Sequence, residues 1–258
     1  MKWKTIIGVM ITMTTLAAYL LVSTGFADTK QQNLLCSEVR ITIGGNSTVN
    51  AMQAADVEAL LAAENIKTIG EPVYHINTYN MMQVLNTRGA IKNASAYTTI
   101  DGVLHIKLSL RRPIMRVQTS SAALYIDECG YIFPTCGAHS AYVPVMTGNI
   151  PMSIPARFRG MIPENETFLQ QAYRLALYLD ENPFWQSHIA QIDVAKVDDV
   201  RIIPCEGNHV IDMGSLDNYR YKFSKLAAFY AKAYPANDNA YERINLSYGN
   251  KVVCKKRK

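Results

Sequence analysis

From Thr5 to Ala27 the chain carries no formally charged residue, and its densest apolar run lies between Ile6 and Val22. A helix of that length spans ~34 Å, enough for a hydrocarbon layer of ~30 Å. No later apolar run approaches it; the others are short and alternate with polar residues. The stretch therefore predicts one transmembrane anchor over residues 5–27. Met1, Lys2 and Lys4 put positive charge on the short side, while Asp28 and Lys30 cancel on the long side. The positive-inside bias then leaves residues 1–4 as a cytoplasmic tail and sends about 230 residues across the membrane. Gly25-Phe26-Ala27 also offers the small residues of a cleavable signal, but the apolar run exceeds the usual ~7–15-residue signal core. An uncleaved anchor is the expectation, and both readings put the bulk of the protein outside the cytoplasm.

Beyond the anchor, a polar stalk is expected over 28–37, followed by enough chain for one large or two small domains. Charged residues make up 18 % of the sequence, below the ~25 % usual in soluble proteins, and the anchor explains part of that deficit. The net charge of +5 is diffuse except at Lys255-Lys256-Arg257-Lys258, a basic tail suited to an acidic partner, to lipid headgroups or simply to solvent. No basic helix interleaved with aromatics occurs, so nucleic acid is not indicated. Of the 5 cysteines, Cys129 and Cys136 flank a short loop and are the one pair placed to bridge; Cys36, Cys205 and Cys254 have no local partner.

Val39 to Ile43 alternates as a strand does and closes on Gly44-Gly45-Asn46. Asn50 and Gln53 form a capping-box pattern ahead of a helix whose stripe is Val57, Leu60 and Leu61. A second helix begins on Asn77 as its cap, carries Met81, Val84 and Leu85, and stops at Arg88-Gly89. Two strands follow around Asp101-Gly102, a dipeptide suited to a type I′ turn. In the returning strand Leu104, Ile106, Leu108 and Leu110 face one way, and His105, Lys107, Ser109 and Arg111 the other. Pro113 ends this β-α-α-β-β unit.

Next come strands at Ala123–Asp127 and Tyr131–Phe133 around a Glu128-Cys129-Gly130 turn, and an extended piece over Tyr142–Gly148. Residues 149–163 form a loop, and a helix over Glu166–Asp180 is terminated by Pro183. An antiparallel meander is predicted from Ile189–Val194, Val200–Ile203 and His209–Met213. A helix over Tyr219–Tyr234 follows, then a final hairpin of Arg243–Tyr248 and Lys251–Cys254 around Gly249-Asn250.

Nothing in this pattern recommends catalysis. The 5 histidines are scattered, and no GxSxG, SxxK, HExxH or Gly-rich phosphate loop occurs. No CxxC or HxxxH pair suggests a metal, and no cofactor is expected. The Asn-x-Ser/Thr triplets at Asn46, Asn93, Asn165 and Asn245 are read as incidental.

Several local motifs nevertheless occur in a telling order. Val39-Arg40-Ile41-Thr42-Ile43-Gly44-Gly45-Asn46 is followed by Leu110-Arg111-Arg112-Pro113, then Tyr125-Ile126-Asp127 with Gly130, then Pro144-Val145-Met146-Thr147-Gly148. Later come Gly214 with Lys222, Lys225-Leu226 and Phe229, and finally Ile244-Asn245-Leu246-Ser247-Tyr248. Together they resemble the bacterial cell-division family FtsQ/DivIB. The resemblance implies an α+β chain: a single transmembrane helix, a POTRA domain over 38–112, and a β domain over 113–254 with an antiparallel sheet and helices, ending in the tail 255–258. It implies a non-enzymatic scaffold of the divisome. Such a scaffold binds FtsB- and FtsL-type bitopic partners and helps recruit or license septal peptidoglycan synthesis at the inner membrane. A POTRA-bearing component of an export or outer-membrane assembly system is the alternative, and a periplasmic cell-wall hydrolase a more distant one. Leu110 stands where the family often has the glutamate of its E-R-x-P junction, so a salt bridge at that junction is not assumed.

The resemblance places the partner-binding residues in the last hairpin: Arg243, Ile244, Asn245, Leu246, Ser247 and Tyr248, with Lys251, Val252 and Val253. A little-covered sheet edge there presents unpaired N–H and C=O groups that another chain can satisfy by adding a strand. By the two-residue period Ile244, Leu246 and Tyr248 share one face, and Tyr241, Arg243, Asn245 and Ser247 the other, with Tyr248 a plausible aromatic anchor.

Overall fold

The structure is a computed structural model and describes residues 3, 8, 10–22, 34–44, 52–135, 141–232 and 240–257. The described part of the predicted anchor is helical (α1, 10–22). Its large apolar side chains, among them Met10, Ile11, Met13, Leu16 and Val22, are all more than half exposed. The hydroxyls of Thr14 and Thr15 donate back to the carbonyls of Met10 and Ile11, both at 3.0 Å, so these polar groups are satisfied within the helix. Among the described residues no helix is long and apolar enough to cross a membrane. The stalk residues 28–33, Asn50, Cys136 and Lys258 lie outside the described residues.

The chain divides into two compact units at Ser109/Leu110. In the first, β1 (Glu38–Gly44) runs parallel to β3 (Val103–Leu110), and β2 (Ile91–Thr98) completes a three-stranded sheet of order β1-β3-β2. Helices α2 (Ala54–Ala63) and α3 (Thr78–Asn86) contribute Val57, Leu61, Met81 and Leu85 to a core shared with Leu104, Ile106 and Leu108. The alternation of β3 thus sets its buried face, each such side chain being worth ~1.5–3 kcal/mol. Asn77 caps α3, its Oδ1 accepting Asn80 N–H at 2.8 Å. The cap of α2 is Gln53, reciprocated by Asp56.

The β2–β3 turn differs from the expected type I′. Only Gly102 has positive φ (+84°), with Gly102 N–H bonding Thr99 O at 3.1 Å and Thr99 N–H bonding Val103 O at 3.0 Å. This is a type I turn followed by a G1 bulge, which needs a left-handed residue at one position instead of two. The glycine is required twice over, since a Cβ there would lie 2.7 Å from Leu35 O.

The second unit is built on a 10-stranded sheet. Its strands are β4 (Pro113–Gln118), β5 (Ala123–Asp127), β6 (Tyr131–Pro134), β7 (Val145–Gly148), β8 (Gly160–Met161), β9 (Ile189–Lys196), β10 (Asp199–Pro204), β11 (Val210–Gly214), β12 (Tyr241–Asn245) and β13 (Val253–Lys256). Their order is β13-β12-β11-β10-β9-β7-β4-β5-β6-β8. The meander β9-β10-β11 is antiparallel as predicted, but the sheet as a whole is mixed: β4 with β7, β7 with β9, and β11 with β12 are parallel. Between β11 and β12 the cause is α6 (Tyr219–Lys232), a helical crossover that returns the chain in the same direction. α4 (Thr167–Glu181) and α6 supply Phe168, Leu169, Ala172, Leu175, Leu179, Phe223 and Leu226 to the core formed with the strands.

Two prolines do more than stop an element. Pro113 opens β4, which lies between β7 and β5. Pro183 ends α4 but is also the first residue of a short α5 (Pro183–His188), capped by Asn182, whose Oδ1 accepts from Phe184 N–H at 3.2 Å. The 149–163 loop contains β8, and β13 takes in Lys255 and Lys256, which were expected to form a tail.

Candidate functional site

The terminal strands combine a rigid interior with an open margin. β12 is paired on both sides, parallel to β11 through Val210↔Arg243, Ile211↔Ile244 and Asp212↔Asn245, and antiparallel to β13 through Ile244↔Cys254 and Asn245↔Val253. The open edge therefore belongs to β13 and not to the longer strand before it. Among the described residues β13 has no strand on its outer side. At the other end of the sheet β8 is only Gly160–Met161, too short to template much pairing.

The predicted strand Arg243–Tyr248 stops earlier, at Asn245, for a local reason. Asn245 Oδ1 accepts Ser247 N–H at 2.9 Å and Ser247 Oγ–H at 2.6 Å, an Asx turn that bends the chain out of the ladder. Ile244 and Leu246 still point into the core and are fully buried. Tyr248, expected on their face, is 56 % exposed instead, because strand alternation no longer applies beyond the Asx turn. Gly249-Asn250 does form the turn, closed by Lys251 N–H to Tyr248 O at 3.1 Å. Val252 is half-buried and Val253 exposed at the start of β13.

This connection is held by a residue outside the predicted set. Lys225 of α6 directs its ammonium at four backbone carbonyls: Leu246 at 2.9 Å, Tyr248 at 3.2 Å, Gly249 at 2.8 Å and Lys251 at 3.4 Å. Burial pushes its pKa down, and the four acceptors meet the donors of the charged form. Lys222, one turn earlier, donates to Ser215 O at 2.8 Å, and burial lowers its pKa as well. The K-x-x-K spacing was visible in the sequence; that its second lysine grips the far hairpin was not.

The solvent side of these strands is charged. Arg243 Nε donates to Asp212 Oδ2 at 2.9 Å, and hydrogen bonding to that carboxylate raises the guanidinium's pKa. Lys255 pairs with Glu242 at 2.9 Å and holds the Glu242 carboxyl below its ordinary range, while Arg201 pairs with Asp199 at 2.8 Å. Cys254 is half-buried opposite Ile244, and burial pushes its thiol up. Chemically the margin offers backbone donors and acceptors, exposed Tyr248 and Val253, and the ammonium groups of Lys255 and Lys256. These are means of recognition. Among the described residues no cluster of three or more His, Cys, Asp or Glu is placed to hold a metal ion.

The junction ahead of β4 is the second organised charge cluster. Arg111 reaches Asp127 and Arg112 reaches Asp180 and Glu128, so this junction carries ion pairs although Leu110 does not supply a carboxylate. Cys129 is exposed on the β5–β6 turn, and its predicted partner is outside the described residues.

A family model described as FtsQ/DivIB, C-terminal related, matches residues 112–255, and one described as a POTRA-like domain matches residues 34–109. The C-terminal match covers more than half of the chain, begins at Arg112 of the charged junction and takes in β11, β12 and β13 as far as Lys255. No curated protein matches the sequence.

Proposed function

The chain belongs to the FtsQ/DivIB family of cell-division scaffolds, and from that premise we propose that it is a single-pass protein of the bacterial inner membrane that gathers FtsB- and FtsL-type partners at the septum. Residues 5–27 serve as the anchor, with the N-terminus cytoplasmic and both units outside. Supporting this reading, α1 exposes its apolar side chains and satisfies the hydroxyls of Thr14 and Thr15 internally, as a helix in lipid must. Confinement to the membrane keeps the scaffold near other bitopic proteins, whose exported segments emerge at the same surface. Through them it helps recruit or license septal peptidoglycan synthesis.

The observation that carries the partner reading is the outer side of β13, against which no strand pairs among the described residues. A partner segment adds there as the next strand, its backbone satisfying the free groups of Val253–Lys256 while Tyr248 and Val253 give it apolar contact. The test is binding of the FtsB-type partner's exported region to full-length protein carrying Tyr248→Ala or lacking residues 251–258, each shown by circular dichroism to be folded. Weaker binding by both variants is expected, and unchanged affinity in both rejects strand addition at this margin. Depletion in cells tests the wider role: long undivided filaments are expected, whereas an outer-membrane assembly defect at normal cell length favours an export function.

A further inference from the structure

Three segments converge where the chain enters the POTRA-like unit. On one side of Leu34–Cys36, Gly70 N–H bonds Cys36 O at 2.8 Å, Cys36 N–H bonds Glu71 O at 2.9 Å and Val73 N–H bonds Leu34 O at 2.9 Å. On the other side Ser37 N–H bonds Gly102 O at 2.9 Å, bringing in the tip of the β2–β3 hairpin. Each segment turns a large apolar side chain outward. Ile100 is 91 % exposed, Ile69 69 %, Tyr74 60 % and Leu35 53 %. A single exposed apolar residue needs no explanation, but four brought to one end of a small unit do. Ile100 is the most telling, since it occupies the first central position of a tight turn, where polar residues and proline are favoured.

We propose that this end of the unit, carrying Leu35, Ile69, Tyr74 and Ile100, rests on the outer surface of the lipid bilayer. The inference depends on residues 5–27 being the anchor, and chain length then commits it to lipid. Only the residues from Asp28 to Asn33 separate that stretch from Leu34, and a fully extended chain of this length reaches at most about 25 Å. The end at which Leu34 enters is therefore tethered within reach of the headgroup layer. Side chains of this kind, with an aromatic among them, suit the boundary between headgroups and acyl chains, to a depth of ~5–10 Å. Lys67, Glu71 and Asp101 stand beside them and bear both signs of charge, so they stay among the headgroups and favour a zwitterionic surface over a strongly anionic one.

The test uses the full chain in phosphatidylcholine vesicles, with Ile100→Trp as reporter and acyl chains brominated near the headgroup as quencher. Relative to the parent protein, the emission added by the new tryptophan should fall roughly twofold in brominated vesicles, as insertion to the acyl boundary requires. Ile69→Trp is a second reporter of the same end, should Ile100→Trp not fold, and adding Leu35→Asp to either should reduce the quenching. If the protein is retained after a carbonate wash but neither reporter is quenched, the proposal is wrong while the anchor stands; a protein partner for this end would give that result. If the wash releases the protein, the anchor reading fails and the proposal fails with it.

Discussion

Arg111 Nη1 lies 2.9 Å from Asp127 Oδ2, joining the chain just before β4 to the end of β5 through a carboxylate that is 1 % exposed. The other oxygen of Asp127 accepts the backbone N–H groups of Cys129 and Tyr131 at 2.9 and 2.8 Å, which shapes the β5–β6 turn. The guanidinium also lies 3.5 Å from the centre of the Tyr131 ring. One buried carboxylate thus fixes a turn, a strand end and the start of the second unit.

Arg111→Ala should therefore lower the stability of the protein by about 2–4 kcal/mol, because it leaves that carboxylate buried without its counter-ion. Arg111→Lys should recover only part of the loss, since an ammonium cannot both stack on Tyr131 and reach Asp127 in the same planar geometry. Urea denaturation of the three proteins at neutral pH measures both effects.

Gly148 has φ +93°, and a Cβ there would lie 2.3 Å from Val194 O on the neighbouring β9. Gly148→Ala must push apart the β7–β9 ladder and should cost about 3 kcal/mol or more, enough to threaten folding. Gly249→Ala, where a Cβ would meet nothing within 4 Å, should change the midpoint little. Thermal unfolding of the two variants gives the contrast.

Lys225→Met keeps the aliphatic stem but removes every bond to the Leu246–Lys251 carbonyls. A loss of about 1–3 kcal/mol is expected, together with faster amide exchange over 249–256 and little change in β9 and β10. Uniform loosening across the sheet would argue against a local clamp. If a partner adds a strand to β13 as proposed, a folded Lys225→Met variant should also bind it more weakly, as the margin loses its fixed geometry.

Burial holds the imidazoles of His188 and His209 below their ordinary pKa, and the His188 and Arg257 charges depress His209 further. Unfolded chains take up these protons near pH 6.5 while the folded protein resists them, so between the two pKa values the unfolded state binds more protons. Stability from these groups is complete above pH 6.5 and is lost as the pH falls below it. Denaturation midpoints should be lower at pH 5 than at pH 7. His188→Phe, which preserves stacking on Phe184, should flatten that slope.

The POTRA-like unit was legible because its signals are local. The alternation of Leu104, Ile106 and Leu108, the Asn77 cap and the helix stripes each act over a few residues, and each sets a buried face. The second unit yielded less. Nothing near Pro113 announces that a strand begins on it, because β4 is defined by partners, β5 and β7, that come later in the chain. Asn245 was read as part of a strand because its neighbours alternate; its side chain ends the strand by bonding Ser247. The sequence reading set the open edge on the longer strand of the last hairpin, but β12 is paired on both sides, by β11 and β13, so the edge falls to the shorter strand. Lys225 was missed as a clamp because its acceptors are carbonyls, which any residue supplies.

From β9 to β13 the strands sit side by side in the order in which they occur along the chain. A polypeptide emerging vectorially, from a ribosome or a channel, can therefore lay this half of the sheet one strand at a time, each newcomer finding its template in place. The other half cannot grow that way. β4 pairs with β5 at once, yet its second flank stays bare until β7 arrives, and β7 in turn waits for β9. In vectorial folding the interval most exposed to misassembly thus falls between β6 and β9, when first β4 and then β7 presents an edge whose partner has not yet emerged. A chaperone acting on the nascent sheet would be needed in that interval, before the terminal hairpin exists.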